Sequence, residues 1–204
     1  MRPVLPVTQV SPAGRAMTGN TRPLRADARR NRAKVLQTAY EVFAAEGLAV
    51  PIDEIARRAG VGAGTVYRHF PTKEALYQAI VVDRVEHLVG QARELAATTG
   101  PGEAFFAFFD LMTSAGATDK GLVDALAGEG FDIEAVMPEH EQAFKDAMRD
   151  LLMRAQAVGA VRADVTVADV KTLMVGCQAM QRYGGDAAPE RVLEVVREGL
   201  RPAR

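Results

Sequence analysis

Five polar side chains within nine residues have the chemistry to bind a nucleic acid. Thr65, Tyr67, Arg68, His69 and Lys73 bring hydroxyl, imidazole and cationic groups close together in the sequence. An arginine fork can pair with O6 and N7 of guanine, and cationic side chains neutralise phosphates. Arg68 is therefore the best candidate for a base contact, and His69 and Thr65 are candidates for base or phosphate contacts.

The surrounding residues predict two short helices joined by a tight turn. Ile52 and Ile55 recur at helical spacing, and Gly60 is expected to end this helix because glycine readily adopts a positive φ. In the second helix Val66 and Phe70 are four residues apart and face the core, which turns the polar residues outward. This is the layout of a helix-turn-helix, whose second helix enters the DNA major groove.

The run from Ala59 to Leu76, AGVGAGTVYRHFPTKEAL, resembles the helix-turn-helix signature of the TetR family of transcriptional regulators. The detailed resemblance extends from Asn31 to Ile80. It implies that Tyr67 and Lys73 contact backbone phosphates and that the last two helices of two subunits form the four-helix bundle of a homodimer. The residues that carry it are Ile55-Ala56, Ala59-Gly60-Val61, Gly64-Thr65-Val66-Tyr67, His69-Phe70, Lys73 and Leu76.

Two positions depart from the pattern that is frequent in the family. Gly62 and Ala63 stand where a polar cap and a polar reader are common, and neither has a hydrogen-bonding side chain, which suggests a close backbone approach. Two alternatives stay open: Tyr67 as an aromatic plug of the small domain, and Lys73 as a solvated surface charge. The predicted DNA-binding residues are Arg30, Gly62, Ala63, Gly64, Thr65, Tyr67, Arg68, His69 and Lys73.

The net charge of −1 conceals a basic N-terminal region and an acidic remainder. From Thr21 to Lys73 there are ten Lys and Arg against five Asp and Glu, which gives +5, whereas residues 74–204 carry thirteen against twenty-one, which gives −8. Such a distribution suits a region that meets phosphate, although ordinary surface solvation is the alternative. The basic segment from Arg22 to Arg32 is expected either to reach along the DNA or to remain a solvated leader.

Composition argues against several other classes of protein. No apolar run approaches the ~18 residues that span a bilayer, and no signal peptide is recognisable, so we expect a cytoplasmic protein without membrane contact. The single cysteine, Cys177, excludes an intrachain disulfide. His69, His87 and His140 have no metal-binding spacing. Because no nucleophile elbow, P-loop, zinc motif or dinucleotide fingerprint occurs, we expect no cofactor and no enzymatic activity.

Hydrophobic periodicity predicts an all-α fold with two domains. We expect a disordered tail over 1–21, which includes Met17 as an alternative start, a helix-turn-helix domain over 22–72, and a helical effector-binding and dimerisation domain over 73–204. The predicted helices cover about 26–46, 52–59, 63–70, 73–97, 103–115, 119–127, 139–158, 167–183 and 189–200.

Half of the eight phenylalanines lie within five residues, from Phe105 to Phe109. They form either a dense core or the wall of an apolar cavity, and plain core is an equally weighted alternative. Gly128, Gly130 and Pro138 are expected to mark a loop that gates such a cavity. The predicted ligand-binding residues are Phe105, Phe109, Met112, Phe131, Phe144, Met148, Met174, Cys177 and Met180.

These features predict a homodimeric regulator that binds a palindromic operator, most simply a repressor released by a small apolar or amphipathic effector of unknown identity. A transcriptional activator and an effector-independent DNA-binding protein are the open alternatives.

Overall fold

The computed structural model describes residues 21–113, 137–180 and 188–203, and all regular structure in these ranges is helical. Residues 1–20 of the predicted tail, the predicted helix over 119–127, the loop glycines Gly128 and Gly130, and Phe131 lie outside the described residues. The helices are α1 Thr21–Glu46, α2 Ile52–Ala59, α3 Ala63–His69, α4 Lys73–Thr98, α5 over 101–113, α6 Pro138–Ala157, α7 Val167–Met180 and α8 Ala188–Leu200.

The chain folds around two hydrophobic cores. The first, here called the head core, joins α1, α2 and α3 to the first half of α4 through Phe43, Ile55, Val66 and Leu76, all of which are buried. The edge of the Phe43 ring meets Tyr77 at a centroid distance of 5.1 Å. This core holds the two short helices, which would be too short to be stable alone.

The second core, here called the body core, surrounds the phenylalanine-rich helix α5. Phe105, Phe108 and Phe109 are buried there against the second half of α4 and against α6, α7 and α8. Val85 on α4 packs against both cores, so this helix is continuous from one to the other. α4 therefore couples the position of the head core to the packing of the body core.

Several helix ends form as the sequence predicts. Thr166 and Asp169 form a capping box at α7, in which each side chain accepts a hydrogen bond from the other residue's backbone N–H, at 2.9 and 3.2 Å. Two starts differ from the prediction: α1 begins at Thr21, five residues early, and α5 is already helical at residue 101. Pro138 is also not in a loop but is the first residue of α6, where its missing N–H costs nothing.

None of the helices in the described ranges is both long enough and apolar enough to cross a lipid bilayer.

Candidate nucleic-acid interface

The turn between α2 and α3 is fixed by a left-handed glycine. Gly60 has φ +66°, and its N–H donates to the carbonyl of Arg57 while the N–H of Val61 donates to that of Ala56. Both bonds satisfy carbonyls at the end of α2, and the positive φ redirects the chain into α3. The predicted role of Gly60 is confirmed.

α3 presents a polar face because Val66 within it and Phe70 directly after it point into the head core. Val66 and Phe70 are buried, whereas Arg68 and His69 are exposed and Thr65 is half-buried. The Tyr67 side chain is 44 % exposed, so it is not the core plug that the sequence left as an alternative. The outer face of α3 therefore offers a hydroxyl, a phenol, a guanidinium and an imidazole to a ligand.

The first residues of α3 carry almost no side chain. Gly62, Ala63 and Gly64 are exposed, and a Cβ built on Gly64 would meet no atom of the described chain within 4 Å. Gly64 also has no positive φ. Neither crowding nor backbone conformation within the protein therefore requires glycine at this position.

Lys73 lies at the start of α4, beside the end of α3. Thr72 caps this helix by accepting a hydrogen bond from the N–H of Ala75 at 3.1 Å, as the sequence predicts. The Lys73 ammonium lies 5.9 Å from the centroid of the Phe43 ring, a cation–π contact that directs the half-buried side chain. Within the described residues its ammonium forms no salt bridge, so it can meet an anion.

Several arginines of the basic region are already paired. Glu54 accepts hydrogen bonds from Arg57 at 2.7 and 2.6 Å and from Arg58 at 2.7 Å, and Arg58 also pairs with Glu46 on α1. The hydrogen bonds from both arginines lower the pKa of Glu54 to about 2. Sequence counting missed this network, because Glu46 and Arg58 are twelve residues apart.

Arg30, a predicted DNA-binding residue, pairs with Asp27 one turn earlier on α1. Both side chains are more than half exposed, and exposed pairs of this kind are weak, so a phosphate can compete for the guanidinium. The DNA contact of Arg30 stays a prediction.

The predicted ligand-binding residues fall into four groups. Met180 lies on the surface, Met112 is partly buried beside the body core, and Phe131 lies outside the described residues. Burial raises the pKa of the Cys177 thiol, which keeps it uncharged. The remaining members are buried in the body core: Phe105, Phe109, Phe144, Met148, Met174 and Cys177. They share one apolar environment, and their contact with a ligand stays a prediction.

One body residue belongs to the other core. Met137, directly before α6, is 8 % exposed and packs in the head core. It falls within the segment from Gly128 to Pro138, which the sequence predicts to be a loop that gates the cavity. No group of three potential metal ligands occurs among the described residues.

Two family descriptions together match most of the chain. Residues 35–80 match "Bacterial regulatory proteins, tetR family", and residues 100–202 match "Transcriptional regulator SbtR-like, C-terminal domain". The chain is 32 % identical over 158 residues to the HTH-type transcriptional activator FasR of Mycolicibacterium smegmatis. The aligned region covers 74 % of this chain and 70 % of FasR. It is 24 % identical over 163 residues to the HTH-type transcriptional regulator UidR of Escherichia coli, with 74 % and 80 % covered.

Solved structures share the fold over most of its length. A TetR transcription regulatory protein from Mycobacterium vanbaalenii superposes with a TM-score of 0.76 at 56 % identity, covering 88 % of this chain and all of that one. A TetR transcriptional regulator from Streptomyces coelicolor superposes with a TM-score of 0.71 at 35 % identity, covering 85 % and 99 %.

Proposed function

This chain belongs to the TetR family of transcriptional regulators and is a DNA-binding regulator rather than an enzyme, and we propose that it binds a palindromic operator as a homodimer. The observation that carries the proposal is the outer face of α3, where Tyr67, Arg68 and His69 are exposed while Val66 and Phe70 hold the helix in the head core.

In this proposal α3 enters the major groove and Arg68 reads a guanine, since its fork matches O6 and N7. Tyr67 and Lys73 bind backbone phosphates on either side. The ring of Phe43 supports the ammonium of Lys73 from within the protein, so the charge is directed before DNA arrives. Phosphate contacts set the position of α3, and base contacts choose the sequence.

The proposed dimer forms through α7 and α8. These helices carry apolar side chains that are exposed to solvent in the single chain, among them Val175, Met180 and the 67 %-exposed Val195. A twofold interface covers such residues with their own copies. It also gives two heads that can meet half-sites about 34–36 Å apart, one turn of DNA.

We propose further that a small apolar or amphipathic effector binds in the body core and releases DNA. α4 runs from the head core to the body core, and Met137 brings the start of α6 into the head core. Expanding the body core would therefore move α4 and α6 against the head. The two DNA-binding heads of the dimer are expected to have one spacing in the free protein and another on DNA. Release requires the effector to bind more tightly to the free protein than to the DNA complex.

Two outcomes of binding are distinguished by the sign of the transcriptional response. Repression is the simpler expectation, since a bound dimer blocks polymerase. The name of FasR, a relative that covers most of this chain, describes an activator and favours activation as the second candidate. Transcripts of the genes beside the operator should rise in a strain without the protein if it represses and fall if it activates. Because the target is the chromosome, we place the protein in the cytoplasm.

The direct test of operator binding is fluorescence anisotropy with labelled DNA fragments from around the protein's own gene. Titrations at 50 and 200 mM KCl, with random DNA of equal length as the control, separate specific from electrostatic binding. We expect tight binding of one dimer to one fragment. Weak binding that ignores sequence and disappears at the higher salt concentration would contradict the proposal.

A library of apolar and amphipathic small molecules can then be added to the bound complex. Release of the operator by one of them supports the effector proposal. If compounds that bind the protein leave the DNA complex unchanged, the protein is an effector-independent DNA-binding protein.

A further inference from the structure

A cation on α1 is held against the end of α3 by an aromatic ring. The Arg32 guanidinium lies 5.8 Å from the centroid of the Phe70 ring, and Phe70 is the residue that follows α3. The ring of His69 lies 6.1 Å from that of Phe70, centroid to centroid. Arg32 and His69 are both exposed, so they border the same buried ring at the surface.

Unlike Arg30, Arg57 and Arg58, Arg32 has no carboxylate partner among the described residues. The sequence explains this difference. The residues three and four positions away from Arg32 on α1 are alanine, arginine, valine and leucine, so the same helix face offers no acid.

From this geometry we infer that Arg32 contacts a DNA backbone phosphate and that Phe70 positions it for that contact. The inference rests on the proposed function and assigns a specific phosphate contact to Arg32, in the basic segment of α1 that the sequence expects either to reach along the DNA or to remain solvated. A cation–π contact with a ring holds a guanidinium in position while leaving its N–H groups free, which suits an arginine that must meet a phosphate. The alternative is that the Arg32 stem only covers the edge of Phe70.

The test compares the salt dependence of operator binding for the wild-type protein, Arg32→Ala and Arg32→Lys. Each lost phosphate contact lowers the slope of log K against log salt by about 0.9, so two subunits lose about 1.8. Between 50 and 200 mM KCl, wild-type affinity should therefore fall about twelvefold more than that of Arg32→Ala. Arg32→Lys should keep the wild-type slope because it keeps the charge.

Arg57→Ala is the matched control, because Arg57 is also an exposed arginine of the head, but two hydrogen bonds to Glu54, at 2.7 and 2.6 Å, hold its guanidinium. It should leave the slope nearly unchanged. The positioning role of Phe70 is tested by Phe70→Leu in two backgrounds. Because Phe70 also holds α3 in the head core, the substitution should weaken binding in both backgrounds, but several-fold more when Arg32 is present than in the Arg32→Ala protein, with thermal unfolding reporting that both variants are folded.

An unchanged slope in Arg32→Ala, with only a lower melting temperature, would overturn the inference and leave Arg32 as a cover for Phe70. Equal losses from Phe70→Leu in both backgrounds would overturn the positioning role. These outcomes differ from failure of the proposed function, in which the wild-type protein itself would not distinguish any fragment from random DNA.

Discussion

Replacing Gly64 by alanine is expected to stabilise the protein and weaken its binding to DNA. Gly64 lies inside α3, is exposed, and has open space where a Cβ would stand. Glycine in a helix costs about 0.8–1.0 kcal/mol relative to alanine. The folded protein gains nothing in return, so we propose that DNA requires the glycine, through close approach of the α3 backbone to the major groove.

The magnitude follows from these two opposing effects. Alanine should raise the free energy of unfolding by about 0.5–1 kcal/mol. On DNA the added methyl must displace an atom of the groove, and forcing a methyl into a packed contact costs about 1–3 kcal/mol. That corresponds to a loss of about five- to 150-fold in operator affinity for each engaged half-site.

Urea unfolding and anisotropy on the operator measure the two effects separately. Gly90→Ala is the matched control, because Gly90 is also an exposed helical glycine at which a Cβ would have nothing within 4 Å, and it lies on α4 away from α3. It should give a similar gain in stability without loss of affinity. The reasoning is refuted if Gly64→Ala binds the operator as tightly as the wild-type protein does.

Three further predictions concern the head and the body core. Tyr67→Phe should reduce operator affinity by about 0.5–1.5 kcal/mol in anisotropy titrations, because it removes the proposed hydrogen bond to a phosphate, and leave the melting temperature unchanged, because the side chain is exposed. Phe109→Ala should cost about 3–5 kcal/mol of unfolding free energy in urea titrations, because the side chain is fully buried. The pKa of Glu54 is about 2 in the folded protein against 4.5 ordinarily, so its stabilising contribution is complete above about pH 4.5 and is lost as the pH falls towards 2. Thermal unfolding across this range should show a weaker pH dependence in Glu54→Gln, and an identical dependence would contradict the ion-pair network.

The local structure of the head could be predicted from sequence because short-range rules decide it. Gly60 ends α2 through its own φ, and Thr72 caps α4 through a bond to a residue three positions away. The spacing of Val66 and Phe70 fixes which face of α3 is buried. In each case the partners lie within one helical turn, where sequence separation is a good guide to distance.

The pairing of charges could not be predicted in the same way. Arg58 reaches Glu46 on another helix, and this distance is set by the angle between α1 and α2 rather than by spacing. Counting the charges in the sequence therefore indicates the electrostatic field of the DNA-binding region. It does not show which cations lack a carboxylate partner. The cation–π contact between Arg32 and Phe70, which are 38 residues apart, could not be predicted from the sequence for the same reason.

The sequence also predicts only in part which apolar residues belong to which core. The burial of Phe144, Met148 and Leu151 on α6 follows from helical periodicity. Met137, one residue before this helix, instead enters the head core, because the path of α6 along α4 brings its first turn there. Tertiary packing alone decides which of two apolar cores an isolated methionine joins.

The central claim is that α3 reads operator bases while Lys73 holds the backbone. It is tested most directly by measuring the affinity of the wild-type protein, Arg68→Ala and Lys73→Ala for the operator, for every single-base-pair variant of one half-site, and for random DNA. Arg68→Ala should lose about 1–3 kcal/mol at one base pair and become indifferent to its identity, whereas Lys73→Ala should weaken binding to all sequences alike. Equal losses on operator and random DNA for both variants would contradict this assignment.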